Sequence, residues 1–98
     1  MTATIRAVTI GRDAVAAAFG HKLSAARKNA GLTQEDLADL SDLHRTQIGH
    51  LEAGKSLPFL DTLLRLAGAL GVEAAELLPA FRWDPPSPRP RSGEFRED

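Results

Sequence analysis

Residues 31–54 read GLTQEDLADLSDLHRTQIGHLEAG, and the organisation of the chain follows from this stretch. Thr33 is placed to cap a helix, with Asp36 three residues on as the acid of a short-armed capping box. Leu37, Ala38 and Leu40 give that helix an apolar side. The pattern breaks at Leu40-Ser41-Asp42-Leu43, where Asp42 is the residue best able to take a left-handed backbone conformation. A second short helix then runs from about His44 to Glu52, with Ile48 and Leu51 facing inward and Gly54 closing it. Two helices of about eight residues joined by so short a turn bury little against each other. They can instead cross steeply and push the second one out from the body, a shape that fits a DNA major groove.

The flanking sequence completes an all-α core. Upstream, Asp13 is in position to cap a helix whose Phe19, Leu23, Ala26 and Ala30 share one face, and Gly31 ends it. Downstream, Pro58 starts a helix carrying Leu60, Leu63, Leu64, Leu66, Ala67 and Leu70, which Gly71 ends. A fifth, short helix is expected near Glu73–Leu78, stopped by Pro79. The expectation is therefore five helices over 13–79, preceded by an arm, 1–12, and followed by a tail, 80–98. Five of the six prolines fall between 79 and 90, so the tail reads as extended or disordered. Its PxxP spacing, Pro85 to Pro88, is taken as a stiff spacer. Phe81 and Trp83 alternate just past the helices; they either tuck back on the core or meet a second subunit, and the sequence does not choose.

Composition bounds the function. In 98 residues, 43% are apolar and 26% charged, ordinary for a globular domain. There is no cysteine, which removes disulfides, cysteine-zinc sites and thiol catalysis. No apolar run approaches a membrane span and no signal-peptide layout opens the chain, so a cytoplasmic protein without membrane partners is expected. His44 and His50 are six apart rather than the four that align two metal ligands on a helix. No phosphate-cradling glycine loop or nucleophile elbow is present. An enzyme, a cofactor and a metal are not expected. The net charge of −1 conceals +4 over residues 1–34, −5 over 35–80 and 0 over the remainder. Nucleic-acid binders are usually more basic than this.

From about residue 20 to 79 the chain resembles the lambda-repressor-like, XRE-type helix-turn-helix family of bacterial and phage regulators. The resemblance is carried by Gly31-Leu32-Thr33-Gln34-Glu35, Leu37-Ala38, Ile48, Leu51-Glu52, Gly54-Lys55, Leu63 and Ala69-Leu70-Gly71-Val72 together. It implies a bacterial, nucleoid-associated regulator of transcription that binds double-stranded DNA; because one such module makes only a few base contacts, a homodimer on two half-sites is expected. It implies base reading by Arg45 and Thr46 at the start of the recognition helix, and by His50 one turn on. It further implies phosphate contacts by Gln34 and Lys55. His44 stands at the cap position, where the family more often has Ser or Thr, and is grouped with the phosphate contacts. Arg27 and Glu52 match a pair that, in related phage repressors, forms an inward ion pair.

The chemistry is consistent with these roles. An arginine in the major groove can hold guanine O6 and N7 with two parallel donors. Gly49, mid-helix, costs about 1 kcal/mol against alanine; it either admits the backbone close to a duplex or sits where nothing packs. A competing reading is a protein-interaction module, antitoxin-like or adaptor, with weak or no DNA binding. The acids Glu35, Asp36, Asp39 and Asp42 favour it, and the tail offers a further site for a protein partner.

Overall fold

A computed structural model of the chain describes residues 11–86 and 93–97. Four α-helices, α1 (Arg12–Asn29), α2 (Gln34–Ser41), α3 (Arg45–Glu52) and α4 (Leu60–Leu70), are followed by one 3₁₀ turn, Ala74–Leu77. Two four-residue strands, β1 (Phe81–Asp84) and β2 (Glu94–Glu97), then pair antiparallel. The fold is thus mostly helical, but the expected five helices become four. The last segment has only four residues before Pro79, enough for a 3₁₀ turn and not for an α-helix. The segment after Pro79 also departs from expectation, since it forms a hairpin. Residues 1–10 of the expected arm lie outside the described residues, as do 87–92 and 98 of the tail.

Helix boundaries follow local chemistry. In α1 the N-cap is Gly11 rather than Asp13, which sits in the first turn where a carboxylate favours the exposed amides. Arg12, assigned above to the arm, is the first residue of α1. The α2 capping box forms: Thr33 Oγ1 accepts from the Asp36 amide at 3.0 Å, and Asp36 Oδ2 accepts from the Thr33 amide at 2.9 Å. The second bond is the chief reason the Asp36 carboxyl is held below its ordinary pKa. Asp42 ends α2 in the left-handed region, φ 58° and ψ 45°, the sole non-glycine residue with positive φ among those described. Pro58 lies two residues ahead of α4, whose N-cap is Phe59. The extended backbone at 59 accounts for the later start.

The core draws on every helix. Phe19, Leu23, Leu37, Ile48, Leu66 and Leu77 are almost fully buried and form one cluster with Ala38, Leu51, Leu63, Ala67 and Leu70. Ser41 is buried with them at no polar cost, because its Oγ donates to the Leu37 carbonyl at 2.6 Å. Leu40, expected on the apolar side of α2, is 61% exposed. In α4 the leucines divide: Leu63 and Leu66 turn inward, while Leu60 and Leu64 face out beside Phe59, itself 82% exposed.

Candidate nucleic-acid interface

The geometry of α3 begins with two glycines on the wall behind it. A Cβ on Gly20 of α1 would lie 2.5 Å from the Leu51 carbonyl oxygen and 2.6 Å from that of Glu52. Only a residue without a side chain lets α1 approach the end of α3 so closely. Gly54, with φ 74°, follows immediately, and a Cβ there would meet the Ala17 backbone at 2.9 Å. Sequence reasoning passed over Gly20, because a glycine inside a helix gives no local sign of which neighbour presses on it.

An ionic clamp fixes the same end. Arg27 Nε donates to Glu52 Oε2 at 2.6 Å and Arg27 Nη2 to Glu52 Oε1 at 3.0 Å, a bidentate pair. The side chains are 12% and 7% exposed. Arg27 Nη1 also donates to the Leu32 carbonyl at 2.8 Å, and Gln34 Nε2 to Glu52 Oε1 at 3.1 Å. One carboxylate therefore joins α1, the α1–α2 turn, the start of α2 and the end of α3. Burial pushes the Glu52 carboxyl up, but the hydrogen bonds from Arg27 and Gln34, with the charges of Arg27 and Lys28, outweigh it. The net position is below the ordinary value. The Arg27 guanidinium is correspondingly raised, first by its hydrogen bond to Glu52, against the opposing effect of burial.

Away from the buried Ile48 and Leu51, α3 is bare. Arg45, Thr46 and His50 are exposed, and Gly49 has open space where a Cβ would be. At 100° per residue, positions 45, 46, 49 and 50 share one face, away from Ile48 and Leu51, while Glu52, two turns after Arg45, stands at the edge of that face and at the far end of the helix. Gly49 removes bulk from the middle of that face. His44 is the exposed N-cap residue; its amide donates to Gln47 Oε1 at 3.1 Å, and its side chain makes no capping bond. Lys55 is exposed just past Gly54 and lines a shallow pocket with Arg12, Ser56 and Leu57. This juxtaposition of Arg12 with Lys55 was not legible in the sequence, where they stand 43 positions apart. Gln34, by contrast, is half-buried and its amide nitrogen is engaged by Glu52, so it belongs to the clamp as well as to the rim.

Among the described residues no helix is long and apolar enough to cross a membrane, and no group of His, Cys, Asp and Glu is arranged to hold a metal ion.

A short helix held by its inner side and bare on its outer side, behind a left-handed turn, defines a helix-turn-helix protein. Comparison with known proteins gives the same class: residues 23–77 match the family described as Helix-turn-helix, and the chain belongs to that family. The control protein C.BamHI of Bacillus amyloliquefaciens is 39% identical over 61 residues, 61% of this chain and 75% of that protein. The immunity repressor of Bacillus phage phi105 is 36% identical over 59 residues, 60% of this chain. The match spans only 41% of that repressor, and 56% of the prophage-derived regulator YonR of Bacillus subtilis. Among solved structures, the restriction-modification controller C.AhdI of Aeromonas hydrophila superposes with a TM-score of 0.63 at 41% identity. That match covers 64% of this chain and 96% of C.AhdI. These relatives are regulators and controllers, not enzymes.

Proposed function

We propose that this chain is a sequence-specific DNA-binding regulator of transcription that lays α3 in the major groove and acts as a dimer. The observation that carries the reading is the two-sidedness of α3. Its inner side buries Ile48 and Leu51, its last turn is clamped through Glu52 by Arg27 and Gln34, and its outer side presents Arg45, Thr46 and His50 across the hollow at Gly49. A bare helix of about 10–12 Å diameter matches a groove about 12 Å wide. Arg45 and Thr46, in the first turn, reach base edges; His50 follows one turn on. Lys55 holds a phosphate, with Arg12 beside it as a second cation. Gln34 keeps one amide hydrogen for a phosphate while the other serves Glu52, and His44 stands at the rim. The naming of relatives as repressors and controllers supports the same reading.

Dimerisation rests on the outer stripe of α4. Phe59, Leu60 and Leu64 are all more than half exposed, and Leu64 also lines a groove with Leu40, Ala69 and the polar Asp42 and Arg65. Exposed apolar groups gathered this way mark an interaction surface. Two modules on half-sites about 34 Å apart multiply the few base contacts that one module makes.

Selection of bound sites from random duplexes tests this reading. The expected product is an inverted repeat with half-sites one helical turn apart; recovery of no enriched sequence overturns it. The acidic row Glu35, Asp36, Asp39 and Asp42, exposed throughout, is what favours the adaptor reading. Asp36 is partly occupied by the Thr33 cap. Salt decides between the two: a DNA binder loses about 0.9 log units of affinity per log unit of salt for each phosphate neutralised. A flat response favours the adaptor.

A further inference from the structure

On the DNA-binding reading three side chains of α3 meet base edges, and only one of them changes its charge near neutral pH. Arg45 keeps its charge throughout and Thr46 has none. An imidazole ordinarily gains a proton between pH 5 and 8. His50 is exposed, and Gly49 before it has no side chain to screen the ring. The main chain fixes its place: the His50 carbonyl accepts from the Lys55 amide at 2.9 Å. Among the described residues the ring makes no ion pair or hydrogen bond. The charged groups of the elements packed against α3, which are α1 and α2, have other engagements. From α1, Arg27 pairs with Glu52, Lys28 acts on the same carboxylate, and Arg12 and Asp13 line the pocket beside Lys55. Lys22 lines a separate groove with Leu70 and Glu76. From α2, Asp36 accepts from the Thr33 amide, and Glu35 and Asp39 stand exposed without a bond to the ring. On α3 itself Glu52 is held by Arg27 and Gln34. No carboxylate therefore fixes the state of this imidazole before it meets a base.

We propose that His50 sets base specificity according to its protonation: charged, it demands guanine rather than cytosine at the base it meets, and neutral, it takes either. The inference rests on the DNA-binding reading and names the residue that makes its specificity conditional. The cause lies at the tip of the ring. A neutral imidazole has one N–H and one bare nitrogen, and its two tautomers put either of them outermost. The bare nitrogen accepts from the cytosine N4 amino group, and the N–H donates to guanine O6 or N7. In the charged ring both nitrogens donate, so a cytosine amino group is met hydrogen to hydrogen. Guanine offers two acceptors in the major groove and gains a charge-assisted bond instead. Arg45, four residues before Gly49 on the same face, is a permanent cation. One recognition helix thus holds a titrating reader and a fixed one.

Selection of sites from random duplexes, run on the full chain at about pH 5.5 and again at about pH 8, tests this. The observable is the ratio between bound sequences. Protonation of the exposed His44 at the rim, or of His21 on α1, changes affinity for all sequences alike and cancels from it. The lower pH stays above the ordinary pKa of Glu52, 4.5, so the clamp is intact in both selections. One base pair per half-site should show a guanine-to-cytosine ratio about tenfold greater in acid, the scale of one charge-assisted hydrogen bond. The base pair that relaxes in Arg45→Ala should not respond to pH. His50→Gln has no charge to gain, and it should abolish the shift while leaving the thermal midpoint where it was. The inference is overturned by a wild type with the same preferences at both pH values, or by a His50→Gln variant that keeps the shift. An enriched sequence indifferent to pH defeats this inference and leaves the DNA reading standing. Recovery of no enriched sequence defeats both.

Discussion

The two sides of α3 have the same eight residues of backbone and opposite physical character. On the inner side Ile48 and Leu51 are buried, Glu52 at the helix end accepts three hydrogen bonds, and Gly20 brings α1 against the last carbonyls. On the outer side Arg45, Thr46 and His50 face solvent. The difference teaches that position and recognition are held by different residues, so stability and specificity are expected to come apart under mutation.

The largest expected effect comes from breaking the inner side. Glu52→Ala leaves the Arg27 guanidinium buried without its carboxylate and costs about 3 kcal/mol, read as a lowered urea midpoint. The outer side gives the sharpest contrast. Arg45→Ala leaves the midpoint within about 0.5 kcal/mol but removes roughly 1–3 kcal/mol of discrimination at one base pair. Lys55→Ala weakens all sequences alike and flattens the salt slope by about one contact. A midpoint change in either exposed variant as large as that of Glu52→Ala would erase the distinction.

Smaller effects refine it. Gly20→Ala overpacks the seam by about 1–3 kcal/mol, offset by about 1 kcal/mol of helix propensity. Gly49→Ala keeps that propensity gain with nothing to clash against, so thermal unfolding of the two variants should move in opposite directions. The pH dependence is finer still. Glu52 binds its proton less tightly in the folded chain than in the unfolded one, so its contribution is complete above its ordinary pKa of 4.5. It is lost as pH falls through the lower folded value. The stability advantage of wild type over Glu52→Gln should therefore shrink in acid below that point, and an advantage that grows there would contradict the clamp.

What was legible in the sequence was local. Thr33 and Asp36 make their box three residues apart, and Gly31, Asp42, Gly54 and Gly71 take the positive φ that helix ends require. What was not legible depends on distant partners. Nothing near Gly20 says that the Leu51 carbonyl presses on it. In α4, leucines at 60, 63, 64 and 66 fall in one arc of about 160°, so periodicity marks an apolar side but not which edge of it stays outside the core. The hairpin was hidden because the prolines between the strands dominate the reading of the tail. The four residues of Glu94–Glu97 are too few to show a period, and Trp83 finds Phe95 only once the strands meet. For the site, the resemblance supplied the candidates, whereas Arg12 beside Lys55 depends on how α1 lies against the loop after α3.

Phe59 occupies the N-cap of α4; its carbonyl accepts from the Leu63 amide at 2.9 Å, but its side chain has no oxygen with which to receive the other first amides. A serine or aspartate there typically adds about 1 kcal/mol. Evolving the isolated domain for heat resistance alone would thus reward Phe59→Ser and strip the oily headland from that helix. Laboratory descendants would grow hardier as individuals and less sociable with their siblings.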